Sequence, residues 1–199
     1  KCYHCDTTWA RGKPLVMKAP SITGDSIPVR QQMTGVINPK GIIYIFEISL
    51  DLPSNLVKMK NLKLFDTTID EWSSMDAVGA DVDPRWIFSS VLNGRIIIFG
   101  GCTFNNTGVS PKLAVLDTNK NPYEWSIPSS SNVNSPPSIY GHTANLYYNY
   151  MIITFGYDID NETYNSQVYL YDIKNNAWVT HFDPPSSRNL LLIGLVTGI

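Results

Sequence analysis

Cys2-Tyr-His-Cys5 brings two thiols and an imidazole into one short segment, the content of a zinc site. Structural zinc sites are usually built from two separated pairs of such ligands. The second pair is absent here, because Cys102 stands alone and His142 and His181 lie far away in sequence. Cys2 or Cys5 therefore reads as a disulfide cysteine of a secreted protein, with its partner inside or outside this chain. Cys102, beside Gly101, reads as a small buried residue. His142 has the chemistry of a catalytic or metal group, but it reads as a buried structural imidazole whose hydrogen bonds are met locally. Arg85 has the same reading. Asp158 and Asp160 share a loop that offers too few oxygens for Ca²⁺, which takes roughly six to eight. No catalytic, cofactor or metal residue is assigned on these grounds.

Asn105-Asn-Thr107 and Asn161-Glu-Thr163 are glycosylation sequons, so Asn105 and Asn161 are candidate glycan carriers. Each lies six residues past a phenylalanine, Phe99 or Phe155, that closes an apolar run. Use of either site requires passage through the secretory route.

The elements that hold these residues are repeated. Trp72, Trp125 and Trp178 are each 53 residues apart. Before each lies an alternating segment ending in Asp: Asn61 to Asp66, Leu113 to Asp117, and Gln167 to Asp172. Alternation marks a strand with one buried face. Asp66, Asp117 and Asp172 then open polar turns, which suits side chains that bond nearby backbone. That repetition makes them turn residues rather than catalytic acids. Upstream, Gly41 to Phe46, Arg95 to Phe99 and Met151 to Phe155 are short apolar runs, as in strands covered on both faces. Asn93-Gly94 before the second run is a hairpin signal. Each copy supplies about four short strands, and no stretch reads as an amphipathic helix. The expected fold is all-β.

These residues resemble the kelch family of β-propellers, to which the central domain of galactose oxidase is also similar. The second copy carries the marks most fully, in Asn93 to Phe99, Gly100-Gly101, Leu116-Asp117 and Trp125. The third has Tyr140-Gly-His142, Phe155-Gly156, Tyr171-Asp172 and Trp178. The first has Glu47-Ile48 where the diglycine is expected, and the third has Gly156-Tyr157 there. The position of His142 aligns with Trp86 and Met33. The resemblance implies about three four-stranded blades of a propeller, a ring normally closed by roughly four to eight. It also implies that the tryptophans pack between blades. The remaining blades are then expected outside this chain, which fits a start at Lys1 and three cysteines.

The expected organisation is an N-terminal segment, 1–29, that ends a preceding blade, then repeats at about 30–78, 79–131 and 132–182. A linker follows at 183–189. The uncharged run from Leu190 to Ile199 reads either as the start of a transmembrane anchor or as a strand of the next blade. The net charge of −2 leaves no basic footprint for nucleic acid.

Function is expected to lie in loops on a rigid frame. Segments 102–112 and 156–166, with the equivalent 47–60, are the candidate contacts for a partner protein or glycan. The sequons and the terminal run lean towards an extracellular or membrane-anchored setting. Two alternatives stay open: a galactose-oxidase-like copper enzyme, which needs tyrosines and histidines gathered on the metal, and an intracellular kelch adaptor.

Overall fold

In the computed structural model the described residues are 23–24, 34–46, 59–103, 105–129 and 133–183. They form strands and turns, with no helix among them. After β1 (Thr23–Gly24), one antiparallel meander is built from β2 (Thr34–Ile37), β3 (Ile42–Phe46), β4 (Asn61–Asp66) and β5 (Glu71–Gly79). A second runs β6 (Ser89–Leu92), β7 (Ile96–Phe99), β8 (Leu113–Asp117) and β9 (Tyr123–Ser126). The chain then passes through β10 (Ile139–Tyr140) into a third meander. That meander is β11 (Thr143–Tyr147), β12 (Tyr150–Thr154), β15 (Val168–Asp172) and β16 (Ala177–Val179). The loop between β12 and β15 carries β13 (Tyr157–Asp158) and β14 (Thr163–Tyr164). The first strands of the meanders, β2, β6 and β11, lie side by side. The three sheets are therefore successive four-stranded blades of a propeller.

Two apolar cores weld the blades. Tyr44, Phe46, Leu62 and Leu64 of the first blade meet Ile96, Ile98, Ala114, Leu116 and Trp125 of the second. On the other face of the second blade, Ile97, Phe99 and Val115 meet Met151, Ile153, Tyr171 and Trp178 of the third. β7 is consequently buried along its whole length, while β12 alternates between buried and half-buried residues. A fully covered isoleucine contributes roughly 1.5–3 kcal/mol, so the central strand is the strongest apolar contributor. Trp125 inserts towards the first blade and its Nε1 donates to the Met59 carbonyl at 2.6 Å. Trp178 stacks edge-on against Phe99 at 5.2 Å. Trp72 stacks on Phe65 at 4.6 Å, on the face of the first blade turned away from the second.

β5 does more than close its blade. Past Asp76 it leaves β4, and Ala77, Val78 and Gly79 pair in parallel with Tyr123, Glu124 and Trp125 of the next blade. Gly79 permits this, since at φ +90 a Cβ would sit 2.3 Å from the Trp125 carbonyl oxygen. Each Asp turn is locked by its own carboxylate. Asp66 accepts from the Thr68 amide and hydroxyl, Asp117 from the Asn119 amide, and Asp172 from the Lys174 and Asn175 amides. The Thr68 hydroxyl and amide hold the Asp66 carboxyl below the usual range.

The strand registers correct two sequence alignments. Phe99 pairs with Ser89, and Thr154 with Thr143. Phe99 is thus matched by Thr154, and Gly100-Gly101 by Phe155-Gly156 rather than Gly156-Tyr157. Backbone angles agree: Gly100 and Phe155 have φ of +61 and +64, and Gly101 and Gly156 both have +92. The same register pairs His142 with Phe88, not Trp86, while Met33 lies outside the described residues. Segment 1–29 is described only at β1, and 184–199, with most of the linker and the terminal apolar run, falls outside. No helix among the described residues is long and apolar enough to cross a membrane.

Candidate functional site

Each blade has one long connection, between its second and third strands, and equivalent connections emerge at the same end of neighbouring blades. These are the segments 102–112 and 156–166; of 47–60, residues 47–58 lie outside the described part. Both described loops are held rather than loose. In the first, Cys102 exchanges backbone hydrogen bonds with Trp86 at 2.8 and 2.9 Å. The Thr103 and Thr107 hydroxyls meet at 2.6 Å, and Asp83 both donates to Ser110 through its amide and accepts from it through its carboxylate. Beneath lies Arg85, fully buried, whose guanidinium donates to the carbonyls of Asp83, Gly100, Pro111 and Lys112. Burial lowers its pKa to about 10, with Asp83 opposing. Arg85 is therefore the anchor of this loop.

In the second loop, β13 pairs with both β10 and β14 to make a small three-stranded sheet. The Ser138 amide donates to Asp160, and the Ile159 amide to the Ser138 carbonyl. Asp158 is buried and accepts from the Asp160 and Asn161 amides. Asn165 ties off the base, donating through its side chain to the Phe155 carbonyl and through its backbone to that of Gly156. Many polar residues of both loops are spent on internal bonds.

The candidate glycan carriers sit in these loops and differ. Asn105 and Asn161 are both exposed, but the Asn161 side-chain nitrogen donates to Asp158 at 2.8 Å. Among the described residues the cysteine and histidine chemistry does not assemble. Cys102 is a free thiol, buried, with its pKa raised by that burial, while Cys2 and Cys5 lie outside the described residues. No three His, Cys, Asp or Glu among the described residues gather where they could hold a metal.

His142 corrects an expectation. It is buried at the corner leading into β11, edge-on to Phe99 at 5.5 Å, yet neither ring nitrogen has a hydrogen-bond partner of good geometry. Burial depresses its pKa to about 4, opposed only by the Phe99 backbone, so the ring is neutral near pH 7. A sequence pattern locates such a residue at a corner, but cannot say whether a carbonyl will point at it.

Sequence reasoning missed the aromatic character of the second loop. Tyr140, Tyr157 and Tyr164 form a chain of ring contacts at 5.5 Å each, ending at Tyr164, which is 86% exposed. At the loop base Phe155 is 64% exposed. At the opposite end of the blades, Asn93, Arg95, Asn149, Lys174 and Asn176 line a shallow cleft of about 320 Å³, apart from both loops.

No curated protein matches the sequence. The solved structure of YjhT is similar, with a TM-score of 0.54 at 17% identity over 78% of this chain. The chain spans about half of that structure, 51% of its length. The model of the KLHDC2/KLHL20/DRC7 Kelch-repeats domain matches residues 51–190. With successive blades joined by the repeated tryptophans Trp125 and Trp178, and with a family model matching most of its length, this chain belongs to the kelch-repeat propellers.

Proposed function

We propose that the chain is a non-catalytic propeller module that binds a partner protein through the loops 102–112 and 156–166. The observation that carries this reading is their shared construction. Successive blades present an ordered loop at the same end, each clamped to the corner that precedes its own blade, through Asp83 and Arg85 or through Ser138. A surface ordered before it meets a partner loses less entropy on binding. Kelch membership supports a binding role.

A glycan partner would use the same loops, since exposed tyrosines suit sugar rings as well as peptides. A cell-surface setting goes with this reading, and the exposed Asn105 is its better-placed glycan carrier, because Asn161 is engaged by Asp158. The remaining blades, and a membrane anchor or a further strand after Leu190, complete the proposed assembly.

The test replaces both loops with short turns in the full chain and measures capture of partner proteins. Loss of capture with retained folding is expected. Undiminished capture would remove the loops from the binding surface.

A further inference from the structure

The seam between the second and third blades is filled differently from the seam before it. Phe46 and Phe99 each stack on the tryptophan of the following blade, which aligns the two seams residue by residue. On that alignment Tyr44 corresponds to Ile97 and Ile42 to Arg95, while Tyr123, two residues before its tryptophan, corresponds to Asn176. In the first seam Tyr44 and Tyr123 face each other with ring centroids 6.0 Å apart, and the Asn38 side chain donates to the Tyr44 hydroxyl at 3.0 Å. The space that seam keeps, about 270 Å³, is lined by Asp66 and Glu71 and by no cation. In the second seam neither ring is present, and Ile97 and Asn176 line the cleft of about 320 Å³ at the end opposite the long loops. Both walls of this cleft belong to described blades packed on one another, so it is not a face left open where the chain stops.

The lining is rich in donors. Arg95 enters from the second blade and Lys174 from the third, and Asn93, Asn149 and Asn176 add three amides. Among the described residues the side chains of Arg95, Lys174, Asn93 and Asn149 have no hydrogen-bond or ion-pair partner. Burial, and then Asp172, push the Tyr171 hydroxyl up to about 12, so it stays protonated near pH 7. It donates to the Asn176 side-chain oxygen at 3.2 Å, which leaves the Asn176 amide hydrogens for a ligand. No carboxylate among the described residues lines the cleft. The acids of the adjoining turns are engaged, Asp117 by the Asn119 amide and Asp172 by the amides of Lys174 and Asn175. The floor is apolar, from the buried Ile97, Val115 and Tyr171. Cations and amides rimming an apolar floor suit an anion carried on an apolar body. A phosphate offers three acceptor oxygens and so uses more of these donors than a carboxylate does. The matching space one seam earlier holds aromatic rings, so a ring has the right shape for the body.

We infer that this seam is a second binding site that receives a phosphate ester on an aromatic ring, with Arg95 and Lys174 holding the phosphate and the ring lying on Ile97 and Val115. Phosphotyrosine in a partner segment and a free aryl phosphate share this chemistry. The site stands apart from the loops 102–112 and 156–166 and does not depend on their role.

Phenyl phosphate, phenol and a short tyrosine-phosphorylated peptide are titrated against the full chain and three variants. These are Arg95→Ala, Lys174→Ala, and Ile97→Tyr combined with Asn176→Tyr, which copies the first seam. The expected result is saturable binding of phenyl phosphate but not of phenol, weakened at least about tenfold by either alanine, as loss of a charge-assisted hydrogen bond does. The tyrosine pair is expected to abolish binding by filling the cleft. Arg95 and Lys174 are exposed, so both alanine variants should keep the thermal midpoint of the wild type, and their lost binding is then not unfolding. A peptide bound more tightly than phenyl phosphate identifies a partner segment as the source of the ester, and equal or lower affinity identifies a free one. Equal binding of phenol, full binding by both alanine variants, or no saturable binding of either phosphate would overturn the inference.

Discussion

At the scale of single residues, two side chains sit where elementary preferences oppose them. His142 is buried with neither nitrogen in a hydrogen bond of good geometry, and its pKa falls from 6.5 to about 4. In the unfolded chain the imidazole takes up a proton below pH 6.5, whereas in the fold it resists until about pH 4. Its contribution to stability is therefore complete above pH 6.5 and is lost as the pH falls from there to about 4. The gap corresponds to about 3 kcal/mol. Urea denaturation at pH 7 and pH 4.5 should show most of this fall in the wild type. The fall should be smaller by about 2 kcal/mol in His142→Phe, which copies Phe88 from the preceding blade. Phe155 presents the opposite case of backbone strain. A left-handed L-residue costs roughly 1–2 kcal/mol, and glycine's extra freedom when unfolded costs roughly 0.5–1. Phe155→Gly should accordingly stabilise the chain by about 0.5–1 kcal/mol in thermal denaturation. A lower midpoint would mean that the ring packs more firmly than its exposure indicates. Both residues were visible in the sequence, but not their situations. His142 read as a buried imidazole with its hydrogen bonds met, and Phe155 looked like the end of a strand until the pairing of Thr154 with Thr143 placed it one residue later.

Among the elements, the informative ones are the loops and the straps. The loop 102–112 reads from sequence only as a candidate contact segment, and the structure shows Arg85 fastening its corner from below through four carbonyls. Arg85→Ala removes a buried donor set and strips the Asp83, Gly100 and Pro111 carbonyls of that donor, at a cost of about 3 kcal/mol. Amide exchange at Ser110 should rise with it, because its bond to Asp83 depends on the same corner. Arg85→Lys should recover little, since one ammonium on a flexible stem cannot span carbonyls on both sides of the loop. Gly79 has a comparable role in the strap from β5 to β9. Gly79→Ala should free the strap and destabilise by about 2 kcal/mol or more, read by equilibrium unfolding, because the new Cβ would meet the Trp125 carbonyl. The strands of each meander and the Asp turns were legible, because alternation and turn chemistry are local. β10, β13 and β14 were not, because they are two-residue strands that exist only through contact with one another.

For the whole molecule, the second blade is the keystone, covered by the first blade on one face and the third on the other. In a stacked repeat array, stability is the sum of unit and interface contributions. Trp125→Ala should therefore cost about 3–5 kcal/mol and uncouple the first blade from the second. The expected signature is a broadened or two-step denaturation, whereas a single sharp transition would show that the strap alone maintains coupling. Sequence by itself determined the all-β class, the three repeats, the apolar second strand of each and the tryptophans at 53-residue spacing, while of those strands only β7 proved covered on both faces. These follow from side-chain periodicity and turn preference, which act over a few residues and recur in each copy. Only the tertiary structure decided which face of each blade meets which neighbour, that Arg85 holds a loop, that His142 has no hydrogen bond of good geometry, and that Phe155 is strained and exposed. Those properties depend on groups brought together from distant parts of the chain, and on a one-residue register that local pattern does not fix.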